Sequence, residues 1–153
     1  MPFPAAAIAN EFIRRGLTEN IGVDPLKVQK LVYLAHGWHL AFLGTPLICE
    51  NIEAWEYGPV VPELYREFRR FGFSSISREM KLPDNVPPFD GQTSALLDEV
   101  WKTYRNKSGV ELSMLTHEPG YAWDLTRRMN EGRWNSHVID NSLIRDEFLK
   151  RKG

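Results

Sequence analysis

One segment constrains this chain more than any other, the run from Asp24 to Gly44. Asp24 is an N-cap, Pro25 stands at the first helical position where its missing N–H costs nothing, and Gly44 supplies the C-terminal stop. The spacing predicts a helix over 25–43. At about 100° per residue, Val28, Leu31, Val32, Leu34, Ala35, Trp38, Phe42 and Leu43 cover half of the helical wheel, while Leu26, Tyr33 and Leu40 occupy the other side. A surface helix needs one apolar stripe; a helix apolar this far round must be central, with neighbours on most sides. Its uncharged stretch from Leu31 to Gly44 is 14 residues long and contains two histidines. Crossing a bilayer takes about 20 apolar residues, so the segment reads as a core helix and no membrane partner is expected.

The rest of the chain supplies the neighbours. Ala5 to Arg15 reads as a short helix on Ile8, Phe12 and Ile13, stopped by Gly16. Pro46 to Cys49, the polar pair Glu50-Asn51 and the alternating run Ile52 to Tyr57 read as a β-hairpin, ended by Gly58-Pro59 because proline cannot continue a ladder. Pro62 opens a third helix on Val61, Leu64, Tyr65, Phe68 and Phe71, stopped by Gly72. Three prolines make Phe73 to Gly91 a long loop. Thr93 to Asn106 is a fourth helix, separated by Gly109 from a helical turn around Leu112 to Thr116; Tyr121 to Met129 follows as helix. Asp140 caps a last helix carrying Leu143, Ile144, Phe148 and Leu149. With 153 residues and no Gly- or Ser-rich linker, residues 1–153 form a single domain. The expected fold is mainly α, six to seven helices around a central buried helix, with one short antiparallel β-hairpin between the second and third.

Composition excludes several function classes. Hydrophobic residues at 42% and charged residues at 25% rule out a disordered chain. The net charge of −1, with neither half basic, lacks the positive field of a nucleic-acid binder. The start of the chain, Met1-Pro2-Phe3-Pro4-Ala5, has no basic segment or long apolar run of a secretory signal, so residence in the cytoplasm is expected. His36 and His39 share an i, i+3 spacing that can turn two imidazoles toward one metal, with Glu50 or His117 as a third ligand. Against this, His39 falls within the apolar arc and no acidic residue occurs on that helix, which favours hydrogen-bonded core histidines and no metal. Cys49 has no basic flank and sits beside Ile48, which suggests a buried thiol rather than a nucleophile. Glu53 and Glu56 point to opposite faces of a strand and make no acid–base pair. Arg66, Arg69 and Arg70, and later Arg127, Arg128 and Arg133, are diluted by Glu63, Glu67 and Glu131, as on solvated faces. No phosphate loop, serine elbow or zinc signature is present. No catalytic residue, cofactor or enzymatic activity is expected.

The motif Leu26-Lys27-Val28-Gln29-Lys30-Leu31-Val32-Tyr33-Leu34-Ala35-His36-Gly37-Trp38-His39-Leu40 resembles the opening of the Panacea domain, the SocA-like antitoxin family. The resemblance continues through Gly44, Pro46-Leu47, Ala54-Trp55 and Gly58-Pro59-Val60, then Leu115-Thr116-His117 and Trp123, to the closing helix at Ile139 to Phe148. It departs at Ala122, where a proline commonly precedes that tryptophan. The resemblance implies a phage-associated or bacterial antitoxin that binds and neutralises a toxin from a neighbouring gene, and it extends to delivery of that toxin to the ClpXP protease. A binding module fits the residues. Gly58-Pro59 marks the start of the third helix, where free N–H groups can meet a partner. Trp55 and Tyr57 share a strand face as aromatic anchors, with burial against the central helix the alternative for Trp55. Arg66 lies on the exposed side of the third helix. His117 and Trp123 complete the expected partner-binding set, although a structural hydrogen bond from His117 to the hairpin would account for that histidine equally well. Two other functions compete: a DNA-binding regulator reading with the third helix, and a metal-dependent hydrolase using His36, His39 and His117.

Overall fold

The computed structural model describes residues 2–130 and 137–153. In chain order it contains α1 (Ala5–Glu19), α2 (Pro25–Leu43), β1 (Glu53–Trp55), β2 (Gly58–Val60), α3 (Pro62–Phe68) with a 3-10 turn over Arg69–Phe71, α4 (Gly91–Tyr104), α5 (Gly109–Thr116), α6 (Ala122–Met129), β3 (His137–Val138) and α7 (Asn141–Lys152). This is a mainly α protein with a small antiparallel sheet.

The ends of α2 follow from its sequence. The Asp24 carboxylate accepts from the Lys27 amide at 2.8 Å, Pro25 fills the first turn, and Gly44 closes the helix in the left-handed region. Nearly every residue from Lys27 to Leu40 is buried, Trp38 being the partial exception. The central position expected for this helix is what the structure shows. It packs against α5, α7, α4 and α1, and α3 touches it less. The close approach of α7 has a steric basis. At Gly37 a Cβ would lie 2.2–2.6 Å from the Phe148 ring, so the glycine lets α7 cross close to α2.

The first helix does not stop at Gly16. It continues to Glu19 and ends at Asn20, whose φ of 57° is the left-handed cap that asparagine tolerates. The hairpin is also displaced from its expected place. The Pro46–Cys49 run does not pair with Ile52–Tyr57; Ile48 instead makes a parallel bridge to Phe3, fixed by Phe3 N–H to Leu47 O at 2.8 Å and Cys49 N–H to Phe3 O at 3.0 Å. The true hairpin turns at Glu56-Tyr57, pairing Trp55 with Gly58, Ala54 with Pro59 and Glu53 with Val60. Pro59 does not end it, because β2 is an edge strand of the order β2-β1-β3 and its missing N–H breaks no inward ladder. On the other edge, β3 pairs antiparallel with β1, a strand too short to register as a period. Gly109 is the first residue of α5 rather than a separator, since Ser108 and Glu111 form a capping box around it. The long connection after α3 is anchored by buried Asn10, which both donates to and accepts from the Met80 backbone at 2.8 Å.

Candidate partner-binding site

The hairpin is too short to be stable alone, and its carbonyls show what holds it. Five of them accept from side chains on helices to either side, and a sixth faces the His117 ring. Arg127 Nη1 donates to Ala54 O at 3.3 Å and Trp123 Nε1 to Trp55 O at 2.6 Å. His117 Nε2 faces Glu56 O at 3.3 Å, and Ser113 Oγ donates to Tyr57 O at 2.7 Å. Lys30 Nζ donates to Pro59 O at 3.0 Å and Gln29 Nε2 to Val61 O at 3.0 Å, while Gln29 Oε1 accepts from the Val61 N–H at 2.9 Å. Segments far apart in sequence, on α2, α5 and α6, thus converge on eight residues of backbone. The His117 ring also sets Nδ1 against Ser113 O and packs on Trp123 with centroids 3.9 Å apart.

Lys30 is the unusual member. It is fully buried, and among the described residues no carboxylate pairs with it. Burial lowers its pKa from 10.5 to about 7. Gly58 exists to make room for it: with φ at 113°, a Cβ there would meet Lys30 Cε at 2.9 Å and Thr116 Oγ1 at 3.0 Å.

From this frame the tip projects outward. Tyr57 is 69% exposed, and Trp55 is half-buried, edge-on to Tyr65 with centroids 5.0 Å apart. Between the hairpin, the start of α2 and α3 lies a cavity of about 680 Å³. Leu26, Val60, Leu64 and Phe68 line its inner part, and Trp55, Tyr57, Tyr65, Phe73, Arg69 and Arg127 line its outer part.

The candidate residues therefore divide into two groups. Trp55, Tyr57 and Arg66 have exposed surface. Gly58 and Pro59 are buried strand residues, and the Val61 N–H expected to be open at the start of α3 is taken by Gln29. Trp55 and Tyr57 do not share a strand face, since Tyr57 lies in the turn beyond β1. His117 and Trp123 hold the hairpin from behind. Gln29, Lys30 and Ser113 belong to the same frame without any sequence signal of their own, and so does Arg127, which its charge pattern places on a solvated face.

The competing chemistries find little geometry among the described residues. His36 is buried; its Nε2 faces Asn141 Oδ1 at 2.9 Å and its Nδ1 accepts from the Leu47 and Ile48 amides at 3.3 and 3.4 Å. Burial holds its pKa below the usual histidine value. His39 points to Thr45 O, and no three His, Cys, Asp or Glu side chains converge. Cys49 is exposed rather than buried, because Ile48 takes the inward position against Phe3; partial desolvation of its sulfur and the nearby Glu50 carboxylate raise its pKa, which disfavours a thiolate. Glu50 accepts from the Ala5 amide at 2.8 Å. Arg70 pairs with Glu67 and Arg128 with Asp124, both at 3.1 Å; Glu131 and Arg133 lie outside the described residues. No helix of the described residues is long and apolar enough to cross a membrane.

Residues 28–124 match the family described as antitoxin SocA-like, Panacea domain. Among curated proteins, the chain is 32% identical over 129 residues to antitoxin SocA of Caulobacter vibrioides (strain NA1000 / CB15N), an alignment covering 79% of this chain and 69% of that protein. No solved structure matches the chain significantly.

Proposed function

Since the chain belongs to the SocA-like antitoxin, Panacea-domain family, we propose that it is a non-enzymatic binding module that neutralises a toxin protein encoded beside it, acting in the cytoplasm. The observation that supports this reading is the investment of five side-chain donors, with the His117 ring beside them, in fixing one short hairpin whose tip then exposes Tyr57. Aromatic anchors held rigid before binding lose little entropy when a partner arrives. In this reading Trp55, Tyr57 and Arg66 meet the toxin, and Gly58, Pro59, His117 and Trp123 keep the hairpin in the geometry that presents them.

Co-expression with the product of the adjacent gene tests it. Wild type should restore growth. Arg66→Glu should lose that protection while its stability moves by less than about 0.5 kcal/mol, as at other solvated helix positions, and Tyr57→Ala should behave likewise. Full protection by both variants would leave the hairpin with a structural role alone. The finer reading is presentation of the toxin to ClpXP. It requires the toxin's half-life to lengthen in cells lacking the protease while binding persists; an unchanged half-life assigns neutralisation to occlusion.

A further inference from the structure

We propose that the cavity beside the hairpin seats an apolar or aromatic side chain of an extended partner segment, with a flanking carboxylate held by Arg69. The inference rests on the antitoxin reading for the identity of the partner, and on the cavity itself for the chemistry. Three observations carry it. At about 680 Å³ the space is of the size that encloses a large side chain and its neighbours rather than a surface dimple. Its inner part is apolar, and its rim carries the residue types that dominate interfaces: Tyr57 is 69% exposed, Tyr65 42% and Phe73 98%. Its charges are lopsided. Arg69, Arg127 and Lys30 line it against a single carboxylate, Glu56, among the described residues.

The cations differ in what they can offer. Lys30 is committed to Pro59 O beneath the strand, and Arg127 to Ala54 O and the face of Trp123, 5.4 Å from its centroid. Arg69 is exposed and, among the described residues, makes no ion pair or side-chain hydrogen bond. Arg66, three residues earlier on α3, is exposed as well but does not line the cavity. The Arg69 guanidinium, beside an aromatic rim, offers a free fork for a carboxylate at the mouth of an apolar pocket. A basic partner segment would face repulsion there, and an apolar one without charge would leave that guanidinium unpaired.

Two arms separate the cavity from the antitoxin reading. In the first, isotope-labelled protein is titrated with a short peptide carrying phenylalanine flanked by aspartates, and with its lysine-flanked counterpart. The aspartate peptide should shift the Trp55 indole and Gly72 amide resonances and should bind at least about tenfold tighter than the lysine peptide. Arg69→Glu, an exposed change, should erase the preference. Equal binding of both peptides, shifts mapping elsewhere, or no binding at all would overturn the proposal, whatever the protein does to a toxin. In the second arm, toxin variants that restore binding to Arg69→Glu are selected from a mutagenised pool. They should exchange an acidic residue beside an apolar one for a basic residue; restoring changes elsewhere would count against the cavity. A wild type that fails to neutralise any adjacent gene product would sink the antitoxin reading and leave the peptide result standing.

Discussion

Gln29 and Lys30 show why part of this site escapes a pattern search. Polar residues on a helix are ordinarily assigned to its solvated side, and Lys30 is among the residue types least often buried. The clue was present in the same segment: a helix apolar all the way round has no solvated side, so the polar residues of its second turn must be buried with the rest. Gln29 then spends its amide on both backbone groups of Val61, and Lys30 donates to Pro59. The cost of burying the Lys30 amine gives a pH signature. Its folded pKa, about 7, lies below the 10.5 of an unfolded lysine. Between those values the unfolded chain holds more protons, so stability rises with pH there; below 7 the amine is charged in both states and the penalty is complete. Lys30→Met removes the titrating group. Urea unfolding at pH 6.5 and 9.5 should show the wild type gaining on the Met variant by on the order of 2–3 kcal/mol. A gap that stays constant would place the amine in a wetter environment than the structure shows.

At the scale of elements, helices were legible and strand partners were not. The caps at Asp24, Gly44 and Asp140 are local chemistry, and each stands where the sequence puts it. Strand pairing is decided by distant contacts: whether Ile48 meets the hairpin or Phe3 depends on where α1 lies, and nothing within residues 46–57 records that. Likewise β3 is two residues paired to β1 across more than eighty positions. Crossing geometry is written in single residues. In an exposed helix, replacing glycine with alanine stabilises by about 0.5–1 kcal/mol. At Gly37 the sign should reverse, because the added methyl falls within 2.2–2.6 Å of the Phe148 ring, itself fully buried between Tyr33 and Trp38. Gly37→Ala should cost about 1–3 kcal/mol by overpacking, read as a lower urea midpoint with an unchanged slope. A gain in stability would mean that α2 and α7 cross further apart.

For the whole molecule, the family motifs turn out to be a distributed lock: Gln29-Lys30, Ser113 with His117, and Trp123 are separated along the chain and meet at one hairpin. A second hub ties the C-terminal helices to α2. The Glu147 carboxylate, almost fully buried, accepts from Tyr33 Oη at 2.7 Å, the Ala122 amide at 3.2 Å and Arg151 Nε at 2.9 Å. Desolvation raises its pKa even so, so every donor it keeps matters to the charged form. This bears on Ala122, the position before Trp123 where the family resemblance leads one to expect a proline. Ala122 is the first residue of α6, a position where proline is normally welcome and where its stiffness stabilises by about 0.4–1 kcal/mol. Here the N–H that proline lacks is one of three donors to a buried carboxylate, and losing a hydrogen bond to a charged group costs about 1.5–3 kcal/mol. The second effect is larger, so Ala122→Pro should destabilise this chain. The same substitution in a Glu147→Gln background should cost less, because a neutral side chain loses less with its donor. Chemical denaturation of the four proteins in a double-mutant cycle measures the difference. Equal costs in both backgrounds would show that the Ala122 amide does not serve Glu147.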